Sequence, residues 1–325
     1  MLDYYRHPGL LHWAHETLAR ERIDIVYIFS TAMAPYVLHH EGPRRILDMQ
    51  DVDSEKWSEY AKRSSWPMRA VWAREGRTLF AYERAAAMAC ERTLLVSQPE
   101  CHRLVELAPE LRDRIDWLEQ GVDVDFFSPD VVLDDPYPDA APRLVFTGNM
   151  DYWPNADAAI FFANEVMPLL RNRNPAPRFI VVGANPTAEV RALAALPGVE
   201  VTGRVADVRP YVAHAAVSVA PLRIARGIQN KVLEAMALAR PVVASPGAFE
   251  GVRATAGRDL LVGEGPAELA RLVGEVLDGA HPQLGTNGRR TIEQGYSWRA
   301  VLEKLDRLLE APQQAGAGQR MEATR

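Results

Sequence analysis

The segment Pro221–Ala237, PLRIARGIQNKVLEAMA, gathers side chains that could do chemistry. Arg223, Arg226 and Lys231 bring up to three cations to a loop that contains Gly227 and opens a helix. A helix start offers unpaired N–H groups and the positive end of a dipole, which suits phosphate. Asn230 has the residue type of a helix cap. Lys231 and Glu234 are three residues apart and share one helix face. Cations beside a phosphate, with a carboxylate one turn deeper to accept both ribose hydroxyls, describe a nucleoside-diphosphate site. A solvated loop with an exposed ion pair would show the same spacing.

A second segment, GNMDYWPN over 148–155, joins a strand to a helix. Gly148 allows close approach of backbone to a ligand, and Asn155 could cap the helix. An ordinary connecting loop has the same residues. Asp48, Asp51 and Asp53 follow another strand end and could supply a base, a hydroxyl-orienting group or a metal pair, or simply cap a loop. His7, His12 and His15 lack a nearby fourth metal ligand. There is no G-x-G-x-x-G, P-loop or G-x-S-x-G, so dehydrogenase, P-loop ATPase and α/β-hydrolase readings lose their motif support.

Residues 56–84 are basic and aromatic. Lys56, Lys62, Arg63, Arg69, Arg74, Arg77 and Arg84 face only Glu59, Glu75 and Glu83, a net +4 in a chain whose net charge is -6. Trp57, Tyr60, Trp66, Trp72, Phe80 and Tyr82 interleave with them. Such helices suit an anionic membrane surface or stacking on nucleic acid. A solvated face with inward aromatics is the third possibility.

The elements that must position these groups alternate. Residues 9–22 read as helix, 23–29 and 45–49 as strands, 55–90 as one long helical stretch, 93–97 as a strand and 98–107 as a helix. Four prolines and four aspartates in 128–142 mark an interdomain linker. Beyond it, strands at 144–148, 178–183, 199–203, 216–220 and 241–245 alternate with helices at 155–171, 187–195, from 208, and 230–239. Repeated βα units of this size imply a parallel sheet covered on both faces, with ligands outside the carboxyl ends of its strands. Gly148, Gly183 and Gly203 fall at those ends.

Length and composition fit this. At 325 residues, with 48% hydrophobic and 25% charged, the chain suits about two globular domains. Its net negative charge disfavours bulk nucleic-acid binding. Two cysteines without CxxC spacing, no apolar run of membrane-spanning length and no signal-like start point to a cytoplasmic setting.

These segments, in this order, resemble glycosyltransferase family 4. LEQGVDVDFFSP at 118–129 is similar to the family's N-G-V-D-x-x-x-F-x-P, with Gln120 in place of Asn, and VLEAMALARPVVAS is similar to its donor-site helix and following strand. DVDSEKW, GNMDYWPN, PLRIARGIQNKVLEAMA and YSWRAVLEKL resemble one branch, the sugar transferases associated with PEP-CTERM/exosortase systems.

The resemblance implies an α/β fold of two Rossmann-like domains facing a cleft, the GT-B type. The implied division is an acceptor-side domain over 1–127, the linker 128–142 and a nucleotide-sugar domain over 143–296. A helix over 297–311 would cross back, and a disordered tail would occupy 312–325. Because the family begins with a further strand and glycine-rich loop, the N-terminal domain is read as incomplete.

It also implies roles. Glu234 would bind the donor ribose. Arg226, standing where the family carries a glutamate, would join Lys231 on the diphosphate, and Arg223 and Gly227 would be among the donor-binding residues. Gly148 would face the diphosphate, Arg204 and Val205 the base, and Asp51 the reaction centre, with Asn155 among the donor-binding residues. The implied reaction is sugar transfer from a nucleoside-diphosphate sugar with retained anomeric configuration, without metal or cofactor. The implied acceptor is a glycan or lipid-linked glycan of exopolysaccharide synthesis. The protein would be peripheral on the inner face of the inner membrane, contacting anionic lipid through 56–84 and no nucleic acid. A nucleotide-sugar epimerase, a non-catalytic nucleotide-sugar binder and a membrane-recruited scaffold are the alternatives.

Overall fold

Short apolar runs, each followed by a helix, form two parallel sheets in a computed structural model that describes residues 2–225 and 227–310. Among these residues, 2–119 with 303–310 form one unit and 120–302 the other.

In the first unit, β1 (Ile25–Phe29), β2 (Arg44–Gln50), β3 (Arg92–Leu95) and β4 (Ile115–Trp117) pair in sequence order. The helices are α1 (Pro8–Arg20), α2 (Asp53–Arg63), α3 (Met68–Ala89) and α4 (Gln98–Leu107). Ile28, Leu47, Met49, Leu95, Leu104 and Leu111 form its core. β4, only IDW, was too short for a periodic signal. The stretch 55–90 is two helices rather than one. Pro67 lacks an N–H and disfavours helical backbone in the residue before it, so the chain turns there. The two helices then pack along their length. Trp57 stacks on Trp72 with centroids 5.0 Å apart, and a Cβ at Gly76 would lie 3.1 Å from Ser58 Oγ. Glu83, fully buried, accepts from the Ser54 amide (3.0 Å) and hydroxyl (2.5 Å).

β2 ends irregularly. Its register shifts between Asp48 and Gln50, and Gln50 takes a left-handed φ of 69°. The Gln50 side chain donates to Asp48 at 2.6 Å, and the Tyr27 hydroxyl donates to the other carboxylate oxygen. Burial pushes the Asp48 carboxyl up, against both hydrogen bonds.

The second unit holds β5 (Arg143–Thr147), β6 (Arg178–Val182), β7 (Val199–Gly203), β8 (Val217–Ala220), β9 (Val242–Ala244) and β10 (Leu261–Val262). α5 (Trp153–Phe161) continues through a π turn into α6 (Met167–Leu170). Then come α7 (Ala188–Ala192), α8 (Arg209–Ala213), α9 (Asn230–Ala237), α10 (Pro246–Phe249), α11 (Gly265–Leu277) and α12 (Leu284–Gly295). α13 (Trp298–Glu310) starts in this unit, and its residues from 303 group with the first. The strands pair in the order β10-β9-β8-β5-β6-β7, all parallel. β5, β8 and β9 are buried throughout, as strands covered on both faces must be.

The segment 128–142 is not a free linker. Tyr137 Oη donates to the Tyr211 carbonyl (2.8 Å), and Asp139 pairs with Arg143 (2.7 Å) and Arg178 (3.0 Å). These bonds fasten it to the second unit, and the chain changes unit earlier, between Glu119 and Gln120. The tail read over 312–325 lies outside the described residues.

Candidate functional site

The second sheet grows from β5 in both directions: β6 and β7 on one side, β8, β9 and β10 on the other. The connections after β5 and after β8 therefore diverge, opening a crevice between the two strands at their carboxyl ends. The loop after β5 is Gly148–Tyr152, and the loop after β8 is Pro221–Gln229. The first and second sequence motifs thus sit side by side at the switch point. The first sheet, in simple order, has no such reversal among its described strands.

A hydrogen bond joins the two motifs. Lys231 Nζ donates to Asn155 Oδ1 at 3.0 Å and to Gln229 Oε1 at 3.4 Å, and lies 5.4 Å from the Phe146 ring centroid. Lys231 is half-buried, and desolvation pushes its ammonium down to about 8, against the opposing pull of Glu234. Burial pushes the Glu234 carboxyl up, with Lys231 acting the other way. An ammonium partly withdrawn from water and held by neutral oxygens is a strong site for an anion.

The two helices flanking the crevice begin differently from the sequence reading. Asn230 is the first residue of α9, not its cap. Gln229 holds the cap position, and its side chain accepts from Lys231 rather than capping. Asn155 does not cap α5 either. Tyr152 holds that position without a side-chain cap bond, while Asn155 is buried one turn in and donates to the Asn149 carbonyl at 3.0 Å. Asn155 has residue-type preference for a cap, but bridging the lysine to the loop satisfies its amide more fully. Two helix starts without side-chain caps thus flank the switch point, each with the partial positive charge that attracts phosphate.

The glycines are steric requirements. A Cβ on Gly148 would lie 2.7 Å from Asn155 Nδ2, and one on Gly183 would lie 1.7 Å from the Gly148 carbonyl oxygen. Gly227 takes φ 62°, the left-handed turn that delivers the chain into α9.

Other sequence candidates are dispersed. Arg223 turns to Asp157, with Nε–Oδ2 3.0 Å and a second contact of 2.5 Å, over the Phe161 ring. Its charge is met by that carboxylate. Arg204 is exposed after β7, and Val205 packs against the core. Arg226 lies outside the described residues. Asp51 belongs to the first unit, exposed on the loop from β2 to α2. The three histidines do not converge. His7 caps α1, His12 pairs with Glu16, and His15 packs edge-on against His40.

One cluster escaped the sequence reading. Asn185, in left-handed backbone after β6, donates to Asp151 (3.1 Å) and Asn149 (3.4 Å), and so pins the loop after β5. The Gly183-Ala184-Asn185-Pro186 turn was its available signal.

Comparisons with known proteins bear on the family and the fold. Residues 141–279 match the family described as glycosyl transferases group 1. The whole described fold is similar to solved structures of low identity. Sucrose-phosphate synthase from Thermosynechococcus elongatus matches with a TM-score of 0.72 and 16% identity, over 93% of this chain and 77% of that one. Anabaena HepE, solved with UDP, matches with a TM-score of 0.70 and 13% identity, over 93% and 82%. A glycosyltransferase from Rickettsia africae matches with a TM-score of 0.64 and 14% identity, over 94% and 83%. No match was found among the curated proteins. The fold is the α/β type with parallel sheets that these GT-B structures share, and residues 141–279 of the second unit match the glycosyl transferases group 1 family.

Proposed function

We propose that this chain, a transferase by its group 1 domain, moves a sugar from a nucleoside-diphosphate donor held at the β5/β8 switch point. The observation that carries this is the Lys231–Asn155 bond across that crevice, between two helix starts without side-chain caps. The diphosphate takes the position those amides and the ammonium face. Glu234, one turn into α9, accepts the ribose hydroxyls, and Gly148 lets the loop close on the phosphates. Solved relatives of the same fold support the donor class, since HepE binds UDP and UDP-glucose.

The departing diphosphate gains negative charge in the transition state. Lys231 and the helix amides, fixed before reaction, stabilise it most at that point, and stabilising developing charge in a pre-arranged site is the largest common contribution to catalysis. Arg226 adds a second cation in this reading. The reaction keeps the anomeric configuration and needs no metal, the departing phosphate taking the acceptor's proton. Asp51 is the candidate for the group at the reaction centre, and Arg204 and Val205 face the base. The acceptor is a glycan or lipid-linked glycan of exopolysaccharide synthesis, as the branch-like motifs suggest. The protein works at the cytoplasmic membrane face, touching anionic lipid through 56–84.

The test is a thermal-shift series with UDP, GDP and ADP on the wild type and on Glu234→Ala. A ligand at 100 times its Kd stabilises by about 2.7 kcal/mol. One diphosphate should shift the wild type and lose most of that shift in Glu234→Ala. Unimpaired turnover by Lys231→Ala would overturn the reading.

A further inference from the structure

The α2–α3 hairpin has an apolar tip in a cationic collar. Trp66 is 83% exposed, and Met68 and Val71 are exposed beside it. Arg69, Arg74 and Arg77 are exposed along the first turns of α3, and Lys62, near the end of α2, is exposed and pairs with Glu59 at 2.8 Å. Large apolar side chains at the end of a hairpin add nothing to the core beneath. An exposed indole with cations on the helices behind it matches the interfacial layer of a bilayer, where indole sits at the headgroups and cations meet lipid phosphates.

Three observations hold the two helices that carry the tip against each other. Trp57 stacks on Trp72 with Tyr60 edge-on to both, directly behind the collar. Gly76 brings α3 against Ser54 and Ser58. Buried Glu83 fastens the start of α2 through two hydrogen bonds to Ser54.

We infer that residues 64–71 form a membrane-inserting tip, with Trp66 and Met68 entering the headgroup layer of an anionic bilayer and Arg69, Arg74 and Arg77 contacting lipid phosphates. This narrows the membrane contact proposed above from 56–84 to one end of the hairpin, and it rests on that contact but not on the donor site.

The test is co-sedimentation of the full chain with phosphatidylcholine vesicles and with vesicles containing about one-third phosphatidylglycerol. Binding should need the anionic lipid and weaken with salt. Trp66→Ser/Met68→Ser should lower it about tenfold, the effect of removing roughly two apolar anchors. Arg69→Gln should lower it about fivefold, roughly one interfacial cation. Brominated lipid should quench part of the wild-type tryptophan emission, and less of the emission of Trp66→Phe. The nucleotide thermal shift, run on the same samples, should be unchanged in all three variants, which separates this inference from the donor reading and checks folding. Equal sedimentation of the tip variants would overturn the tip while leaving a broader 56–84 contact. Binding to an oligonucleotide with none to vesicles would overturn both.

Discussion

Lys231 is held where its charge is costly to the free protein, and that cost is the source of its affinity for an anion. Two results should follow. UDP affinity should fall as pH rises above about 8, because the ammonium of the free protein deprotonates there. Titration calorimetry at pH 7, 8 and 9 reads this directly, and a flat profile would argue against an ammonium contact. Lys231→Met should also stabilise the ligand-free protein by on the order of 1 kcal/mol after the lost Asn155 bond is counted, raising its melting temperature, while abolishing the nucleotide shift. The residue types of this site were legible in the sequence, and their partners were not. Lys231, Glu234, Gly148 and Asn155 follow from motif spacing. That Asn155 holds the lysine, and that Asp157 claims Arg223, depends on residues 66 to 76 positions away.

Among the elements, α2 and α3 depend on a buried acid. Burial pushes the Glu83 carboxyl up to about 7 from an ordinary 4.5, despite two hydrogen bonds from Ser54, and neighbouring Asp53 adds to the rise. The folded protein therefore holds this proton more tightly than the unfolded chain. Its stabilising effect is present below about pH 4.5 and is lost as pH rises through about 7. At 1.36 kcal/mol per pH unit the shift amounts to roughly 3 kcal/mol. Glu83→Gln should flatten the stability curve of the first unit between pH 5 and 8, by urea melts at fixed pH, and leave it more stable at pH 8. An equal slope in both proteins would mean the carboxyl is ionised throughout. α9 depends on Arg289, whose Nη1 donates to the carbonyls of Val124 (2.9 Å), Phe127 (2.7 Å) and Ala237 (2.7 Å). It is a cation at the C-terminal end of the site helix that also ties down the segment entering this unit. Arg289→Met should cost about 2 to 3 kcal/mol in calorimetry, more than a surface arginine, because three half-buried acceptors lose a charged donor. Helices and strands with strong periodicity were legible. The break at Pro67 needed the proline weighed against an otherwise unbroken helical pattern, and β4 carries too few residues to signal itself.

At the scale of the molecule, ligand should act on one unit. Amide exchange with saturating UDP should slow the starts of α5 and α9 and leave β1–β4 unchanged, since linkage stabilises only what the ligand holds. Protection spread evenly over both units would contradict a site built by the second sheet alone. The alternation after residue 143 displayed the parallel sheet plainly. Strand order was not readable, because spacing records which elements follow one another and not which pair. The division at Glu119–Gln120 was hidden for a related reason. Proline and aspartate made 128–142 resemble a tether, while Tyr137 and Asp139, each bonded well into the second unit, decide otherwise.

The glycine at 183 leaves no room for any side-chain carbon, because the backbone oxygen of Gly148 already fills that space. Saturation mutagenesis scored by cell growth should therefore rank position 183 with the most intolerant in the chain, alongside Lys231. Ranked by intolerance alone, it would pass for a substrate contact. Assayed for abundance as well as turnover, every substitution there should fail at abundance first, and the two kinds of indispensable residue would come apart.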